Sequence, residues 1–257
     1  MKWIPLLKKL ANASDTIALK YFNKVDLKVD YKNDNSPVSE ADKEIEAVVR
    51  ELIGKSHPDL GIYGEEYGED ALTELRLIID PIDGTRNFVR GVPIFATLLA
   101  IEEKGKIIAG LVSAPALKTR WWAEQNQGAH MENKITKIKK PIFVSQINTL
   151  SHAQLFHASL SGNEIRDTSK ETLLKVVSHT ERQRGFGDFY QHVLVAQGSG
   201  EAAYDPHVKP WDIAPLKIIL EEAGGKLTSF NGKDSIYEGN CITTNGLVHD
   251  ELLEIIH

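Results

Sequence analysis

Asp80-Pro81-Ile82-Asp83-Gly84-Thr85 is the stretch around which the rest of the chain can be ordered. The apolar run Leu75 to Ile79 leads into it and reads as a strand. That strand delivers Asp80 at its C-terminal end, and Pro81 stops the ladder by removing a donor. Asp83 follows in a turn, and Gly84 permits close backbone approach. Both carboxylates and the Ile82 carbonyl can then converge on a cation, while the Gly84 and Thr85 amides can face phosphate oxygens. Read alone, the hexapeptide has a plainer reading as a surface turn, because Asp-Pro and Asp-Gly are common turn pairs.

Other acids sit at similar places. Trp211-Asp212-Ile213-Ala214-Pro215 opens an apolar helix that ends in Glu221-Glu222-Ala223-Gly224-Gly225. Pro215 is expected in its first turn, where proline is tolerated. Upstream stands Gly64-Glu65-Glu66. Oxygen ligands without soft partners select a hard cation, Mg²⁺ rather than Zn²⁺, with a phosphate ester as the natural third party. Each acid also has a plainer reading. Asp212 could be a helix N-cap, and Glu65 and Glu66 could be exposed acids. Asp42 fits a capping box, Ser39-Glu40-Ala41-Asp42, in which Asp replaces the usual Glu or Gln.

The bulk composition narrows the function class. A chain of 257 residues is one large domain or two fused lobes with room for a substantial core. The net charge is −6, and the densest basic run, Lys137 to Lys140, is short, which argues against nucleic-acid binding. The single cysteine, Cys241, excludes an internal disulfide and a cysteine-based zinc site, and reads as a small core residue. Met1-Lys2-Trp3-Ile4-Pro5 leads into a lysine-spaced amphipathic pattern rather than an apolar leader. No apolar run reaches membrane-span length, so a cytoplasmic protein is expected. The nine histidines form no metal-ligand pairs and are expected on the surface, in the core or beside a substrate.

Working outward, Ile4, Leu7, Leu10, Ala11, Ala18 and Tyr21 share a helix face. The polar stretch Asp30 to Pro37 reads as a mobile loop, and a helix starts at Ser39 with Ile45, Val48, Val49, Leu52 and Ile53 as its stripe. Ile94 to Ile101 and Ile107 to Ser113 form a hairpin around Glu103-Lys104-Gly105-Lys106, with Thr119 to Ala123 beside it. Lys139-Lys140-Pro141 marks a lobe boundary, giving lobes 1–141 and 142–257. Beyond it, a strand from Gln154 to Ser159 and helices at Thr168–Ser178, Asp188–Gln197, Trp211 onward and Val248 onward predict an α/β lobe.

Four landmarks in order carry a family resemblance over nearly the whole chain. They are Ser36-Pro37-Val38-Ser39-Glu40-Ala41-Asp42, Gly64-Glu65-Glu66, Asp80 to Phe88, and Trp211-Asp212 with Glu222-Ala223-Gly224-Gly225. The chain resembles the inositol monophosphatase family, the Mg²⁺-dependent, lithium-sensitive phosphatases that include fructose bisphosphatases and bacterial histidinol-phosphate phosphatases. The resemblance implies an αβαβα sandwich, α/β in the α+β layered sense, assembled as a homodimer. It implies that Glu65, Asp80 and the Ile82 carbonyl hold one Mg²⁺, and that Asp80, Asp83 and Asp212 hold a second. A third, weaker site would use Glu65 and solvent, and Mn²⁺ is an alternative ion. Thr85, paired with Asp42, would activate the attacking water, with Glu65 completing the catalytic set. The Gly84 and Thr85 amides would bind phosphate. Glu40 and Pro215 depart from the family pattern, and neither touches this metal set.

The resemblance implies a small phosphate monoester as substrate. Gln183-Arg184-Gly185-Phe186-Gly187-Asp188 places an acid where inositol-type members carry a small residue, and Asp205 lies seven residues before Asp212. Two extra carboxylates suit a cationic alcohol such as histidinol phosphate. Asn87 to Pro93 and Trp121-Trp122 also look like the histidinol-phosphatase branch, although the two tryptophans read more simply as strand residues facing core and partner surface. Asp188 could instead cap its helix, and Asp205 could only open the Asp205-Pro206 turn. The readings that follow are a histidinol-phosphate phosphatase, an inositol or sugar monophosphatase, or a non-enzymatic regulatory protein that keeps the fold.

Overall fold

Successive residues of the strand leading to Asp80 serve two different cores: Leu77 and Ile79 pack in one, Ile78 in the other. A sheet buried on both faces must be covered by helices on both. The computed structural model describes residues 1–24, 26–31, 37–70, 73–158 and 167–257, the last with side chains from 170 onward. Most of the expected mobile loop, 32–36, lies outside the described residues.

In chain order the elements are α1 (Ile4–Tyr21), β1 (Val29–Tyr31), β2 (Pro37–Ser39), α2 (Glu40–Ser56), β3 (Gly61–Gly64), β4 (Gly68–Glu69), β5 (Leu75–Asp83), α3 (Thr85–Val89), β6 (Ala96–Glu103), β7 (Lys106–Ala114), β8 (Thr119–Glu124), β9 (Ala129–Asn133), β10 (Ile138–Pro141), β11 (Gln154–His157), α4 (Asp167–Ser178), β12 (Arg182–Gly185), α5 (Asp188–Ala196), β13 (Ala202–Asp205), α6 (Pro210–Glu222), β14 (Lys226–Thr228), β15 (Cys241–Thr244) and α7 (His249–Ile256). An eight-stranded sheet runs β10-β9-β8-β7-β6-β5-β3-β4, and a five-stranded sheet runs β12-β11-β13-β15-β14. The first is antiparallel except where β3 meets β5.

Three apolar clusters set the layering. Helices α1 and α2 cover one face of the large sheet through residues such as Leu7, Leu10, Ile45 and Val49. Helices α5 and α6 lie between the sheets, with Val193, Ile213 and Ile219 meeting Leu98 and Val112 on one side and Phe156 and Ala203 on the other. Helices α4 and α7 close the far face against Leu155, Tyr204 and Ile242. The result is the expected αβαβα order. The contact of α6 with the large sheet is close: a Cβ on Gly110 of β7 would come 2.8 Å from Pro215 Cα.

Several local expectations are revised. Strand β5 does not stop at Asp80 but continues to Asp83. Its pairing with β6 jumps from Asp80↔Leu98 to Asp83↔Ala96, so Pro81 and Ile82 oppose the single residue Thr97. This is a β-bulge, and a missing donor is tolerated there. Pro215 is the sixth residue of α6, inside the helix rather than in its first turn, and Asp212 is the third residue rather than the cap. Trp121 and Trp122 are both buried, on opposite faces of β8, and Trp122 packs within this chain under Lys8. Cys241 is a buried core residue, as expected.

Side chains distant in sequence complete two turns. The Glu124 carboxylate of β8 accepts the amides of Lys2, Trp3 and Ile4 at 2.5, 3.0 and 3.4 Å, satisfying the open N-terminus of α1. Glu222, at the end of α6, accepts the Asn126, Gln127 and Gly128 amides at 2.7, 3.1 and 2.7 Å and so fixes the β8–β9 turn.

Candidate active site

In a regular strand, residues three apart point to opposite faces. The bulge in β5 cancels that alternation and turns Asp80 and Asp83 to the same side. Helix α6 brings Asp212 up to them, with its carboxylate anchored on the Lys209 amide at 2.7 Å. One oxygen from each of the three carboxylates falls within a 4.8 Å group. Glu65 lies outside that triad but beside Asp80, on the turn after β3, with its amide bonded to the Ile79 carbonyl at 3.2 Å.

The electrostatics are repulsive. Burial, then the charges of Glu65, Asp83 and Asp212, hold the Asp80 carboxyl well above the usual carboxylate range. Burial, then Asp188 and Asp212, does the same for Asp83, against the Phe189 amide that donates to it at 2.6 Å. Asp212 is pushed up to about 8, chiefly by burial. Asp80 Oδ1 is buried with no hydrogen-bond partner among the described residues. An orphaned carboxylate oxygen inside a cluster of like charges is costly unless a cation completes it. Four acids with no thiol or imidazole among them fit a hard divalent ion, as the family resemblance implied.

The residues expected to face phosphate, Gly84 and Thr85, belong to the same turn. Gly84, at φ 81°, caps the short helix α3, which begins at Thr85. The Thr85 hydroxyl donates to the Ile82 carbonyl at 2.8 Å and lies 3.4 Å from Asp42 Oδ1. Asp42 is also the capping-box residue expected: its Oδ2 accepts the Ser39 amide at 2.8 Å and hydroxyl at 2.6 Å. Burial raises its carboxyl to about 7 despite those bonds.

Asp188 and Asp205 share one small cleft with Asp83 and Asp212. Asp188 is the first residue of α5 and holds φ +50°, a backbone state that is sparsely populated and often found at functional sites. Its Oδ2 accepts from Asn87 Nδ2 at 3.1 Å, and the same nitrogen reaches the Ile94 carbonyl at 3.0 Å. Asp205 ends β13; its Oδ2 accepts from Gln191 at 2.8 Å, and its Oδ1 from the His207 amide at 3.3 Å.

His192 and His207 line this cleft as well and were not singled out from the sequence. A signal for His192 existed: it stands four residues after Asp188 on a helix, which places both on one face. Its Nδ1 pairs with Thr243 Oγ1 at 2.7 Å, and its Nε2 lies 3.8 Å from Asp205 Oδ2.

Comparison with known proteins gives the family. The model of the inositol monophosphatase family matches residues 2–257. The histidinol-phosphatase of Streptomyces coelicolor is 41% identical over 248 residues, covering 95% of this chain and 92% of its own. The histidinol-phosphatase of Mycobacterium tuberculosis is 41% identical over 245 residues, covering 95% and 94%. Among solved structures, the IMPase of Thermotoga maritima superposes with a TM-score of 0.87 at 31% identity, covering 100% of this chain and 97% of that one. The chain belongs to the inositol monophosphatase family of phosphate monoester hydrolases.

Proposed function

We propose that this protein is a Mg²⁺-dependent histidinol-phosphate phosphatase that converts L-histidinol phosphate and water to L-histidinol and phosphate in histidine biosynthesis. The observation that carries the reading is the shared cleft, in which two acids of the cation site face two further acids, Asp188 and Asp205. Two carboxylates can accept hydroxyl hydrogen bonds from a polyol, but an ammonium and a protonatable imidazole add charge pairing to both. The two relatives named histidinol-phosphatase support the same choice.

Glu65, Asp80 and the Ile82 carbonyl would hold one Mg²⁺, and Asp80, Asp83 and Asp212 another, with a third, weaker position at Glu65; Mn²⁺ is the alternative ion. When bound, these ions supply charge neutralisation for the phosphate dianion and its leaving alkoxide. The chain's own groups do the rest. The Gly84 and Thr85 amides receive phosphate oxygens and orient the ester. The Thr85 hydroxyl, held between Ile82 and Asp42, positions the attacking water for in-line displacement. Asp42, with its carboxyl near 7, is poised to take the proton that Thr85 relays. Asp188 and Asp205 hold the organic cation.

We read the chain as lobes 1–141 and 142–257 forming a cytoplasmic homodimer without nucleic-acid or membrane partners. The charge of −6 argues against a nucleic-acid partner, and a single cysteine suits a reducing compartment. Among the described residues, no helix is long and apolar enough to cross a membrane.

The test is phosphate release from histidinol phosphate, inositol monophosphates and fructose bisphosphate, with chelator and with Mg²⁺ restored. Histidinol phosphate should be preferred, and all activity should require the cation. Preference for an inositol or sugar phosphate would move the protein to a broader monophosphatase role. Full turnover in excess chelator would end the metal reading, and no turnover on any ester would leave a regulatory binding protein.

A further inference from the structure

Glu46 is fully buried in the middle of the apolar face of α2, a position where an unpaired acid would be costly. It is not unpaired. Its Oε2 accepts the Glu66 amide at 2.8 Å, and its Oε1 accepts the Tyr67 amide at 3.2 Å. Arg50, one helical turn on, donates to Oε1 from Nε at 2.9 Å and Nη2 at 2.8 Å. The same guanidinium reaches the Gly68 carbonyl at 2.6 Å and also pairs with Asp70. The turn after β3 is therefore gripped by backbone bonds at Glu66, Tyr67 and Gly68. Gly64 leaves the room: a Cβ there would come 2.0 Å from Glu46 Oε1.

Asp42, Glu46 and Arg50 recur every four residues, so one helix face carries all three. Its first acid faces Thr85, and its second fixes the segment that bears Glu65. Helix α2 spans both halves of the catalytic turn system.

We propose that Glu46 is a positioning residue for cation binding: by holding the Glu66 and Tyr67 amides it sets Glu65 beside Asp80. The assignment rests on the reading of Glu65 as a metal ligand. Partners of this kind, one step removed from the ion, typically change metal affinity about 10- to 100-fold when altered.

The experiment titrates Mg²⁺ into substrate-free enzyme by calorimetry, for the wild type, Glu46→Gln and Glu65→Gln, beside melting temperatures and the Mg²⁺ dependence of turnover. Glu46→Gln is expected to weaken Mg²⁺ binding about 10-fold or more. Turnover at saturating Mg²⁺ should return to within a few-fold of wild type, because Glu46 touches neither ion nor ester. A lowered melting temperature with unchanged Mg²⁺ affinity would make Glu46 purely structural and overturn the proposal. If Glu65→Gln weakens binding and Glu46→Gln does not, only the Glu46 assignment falls. If neither does, the reading of Glu65 as a ligand falls with it. Should Glu46→Gln fail to fold, Arg50→Lys loosens the same grip from a less buried position. A few-fold loss of Mg²⁺ affinity is expected for it, and an affinity equal to wild type would overturn the proposal.

Discussion

The two halves of the active cleft treat their carboxylates in opposite ways. At the cation end, Asp80, Asp83 and Asp212 are crowded together, burial and mutual repulsion hold their carboxyls above the usual carboxylate range, and one oxygen has no hydrogen-bond partner among the described residues. At the other end, Asp188 and Asp205 are each held by a neutral amide, from Asn87 and Gln191. The first arrangement is incomplete as a protein structure and calls for an ion. The second is preorganised: the Asn87 and Gln191 amides each fix one oxygen of an acid.

Removing a cation-end charge should produce the largest effect. Asp83→Asn keeps the shape of the bulge and an acceptor for the Phe189 amide but removes a negative charge from the cluster. Turnover is expected to fall by at least about 100-fold. In chelator, the melting temperature should hold or rise, because one of the repelling charges is gone. Near-normal turnover would make Asp83 a turn residue and erase the distinction between the two ends.

A substitution at the far end should be selective rather than general. Asp188→Ala is expected to cost histidinol phosphate roughly 1.5 to 3 kcal/mol, about one to two decades in kcat/KM. A generic aryl phosphate, which offers Asp188 neither a cation nor a hydroxyl, should lose less than about threefold. Steady-state kinetics on both esters with the same variant decide the matter. Equal losses would reduce Asp188 to the first residue of α5 and nothing more.

The smallest effect concerns pH. In the folded, cation-free protein, Asp42 titrates near 7 and Asp212 near 8, against 3.8 for an ordinary aspartate. Between those values the folded state holds more protons than the unfolded chain, so stability falls as pH rises from roughly 4 to roughly 8. Melting in chelator should drop by about a few degrees between about pH 5.5 and about pH 8. Saturating Mg²⁺ should raise the melting temperature more at the higher pH, where binding displaces fewer protons. A flat profile in chelator would show that the cation end is not frustrated.

Much of this was legible in one dimension. The acids at 80, 83, 188, 205 and 212 are legible as a set, because each alone also fits a turn or a helix start and only their order along the chain singles them out. Periodicity exposes α1 and the stripe of α2, since burial of one face requires apolar residues at helical spacing. Glu46 escaped notice within that stripe because its partners are amides twenty residues downstream, and backbone groups carry no sequence signature. Glu124 escaped for the same reason, and so did the partners of Glu222, whose place at the end of α6 was legible.

What the sequence determined by itself was chemical inventory and local periodicity: which residues could bind a hard cation, and which faces had to be buried. Only the tertiary structure decided geometry. The β5 bulge turns Asp80 and Asp83 to one side, and neither a Pro nor an Asp specifies a register shift without the facing strand β6. The meeting of Asp212 with that pair depends on α6 packing against a sheet whose strand β5 ends more than a hundred residues earlier. Convergence of this kind is long-range packing, paid for by burial of both sheets against the helices between them, and no stretch of chain holds it alone.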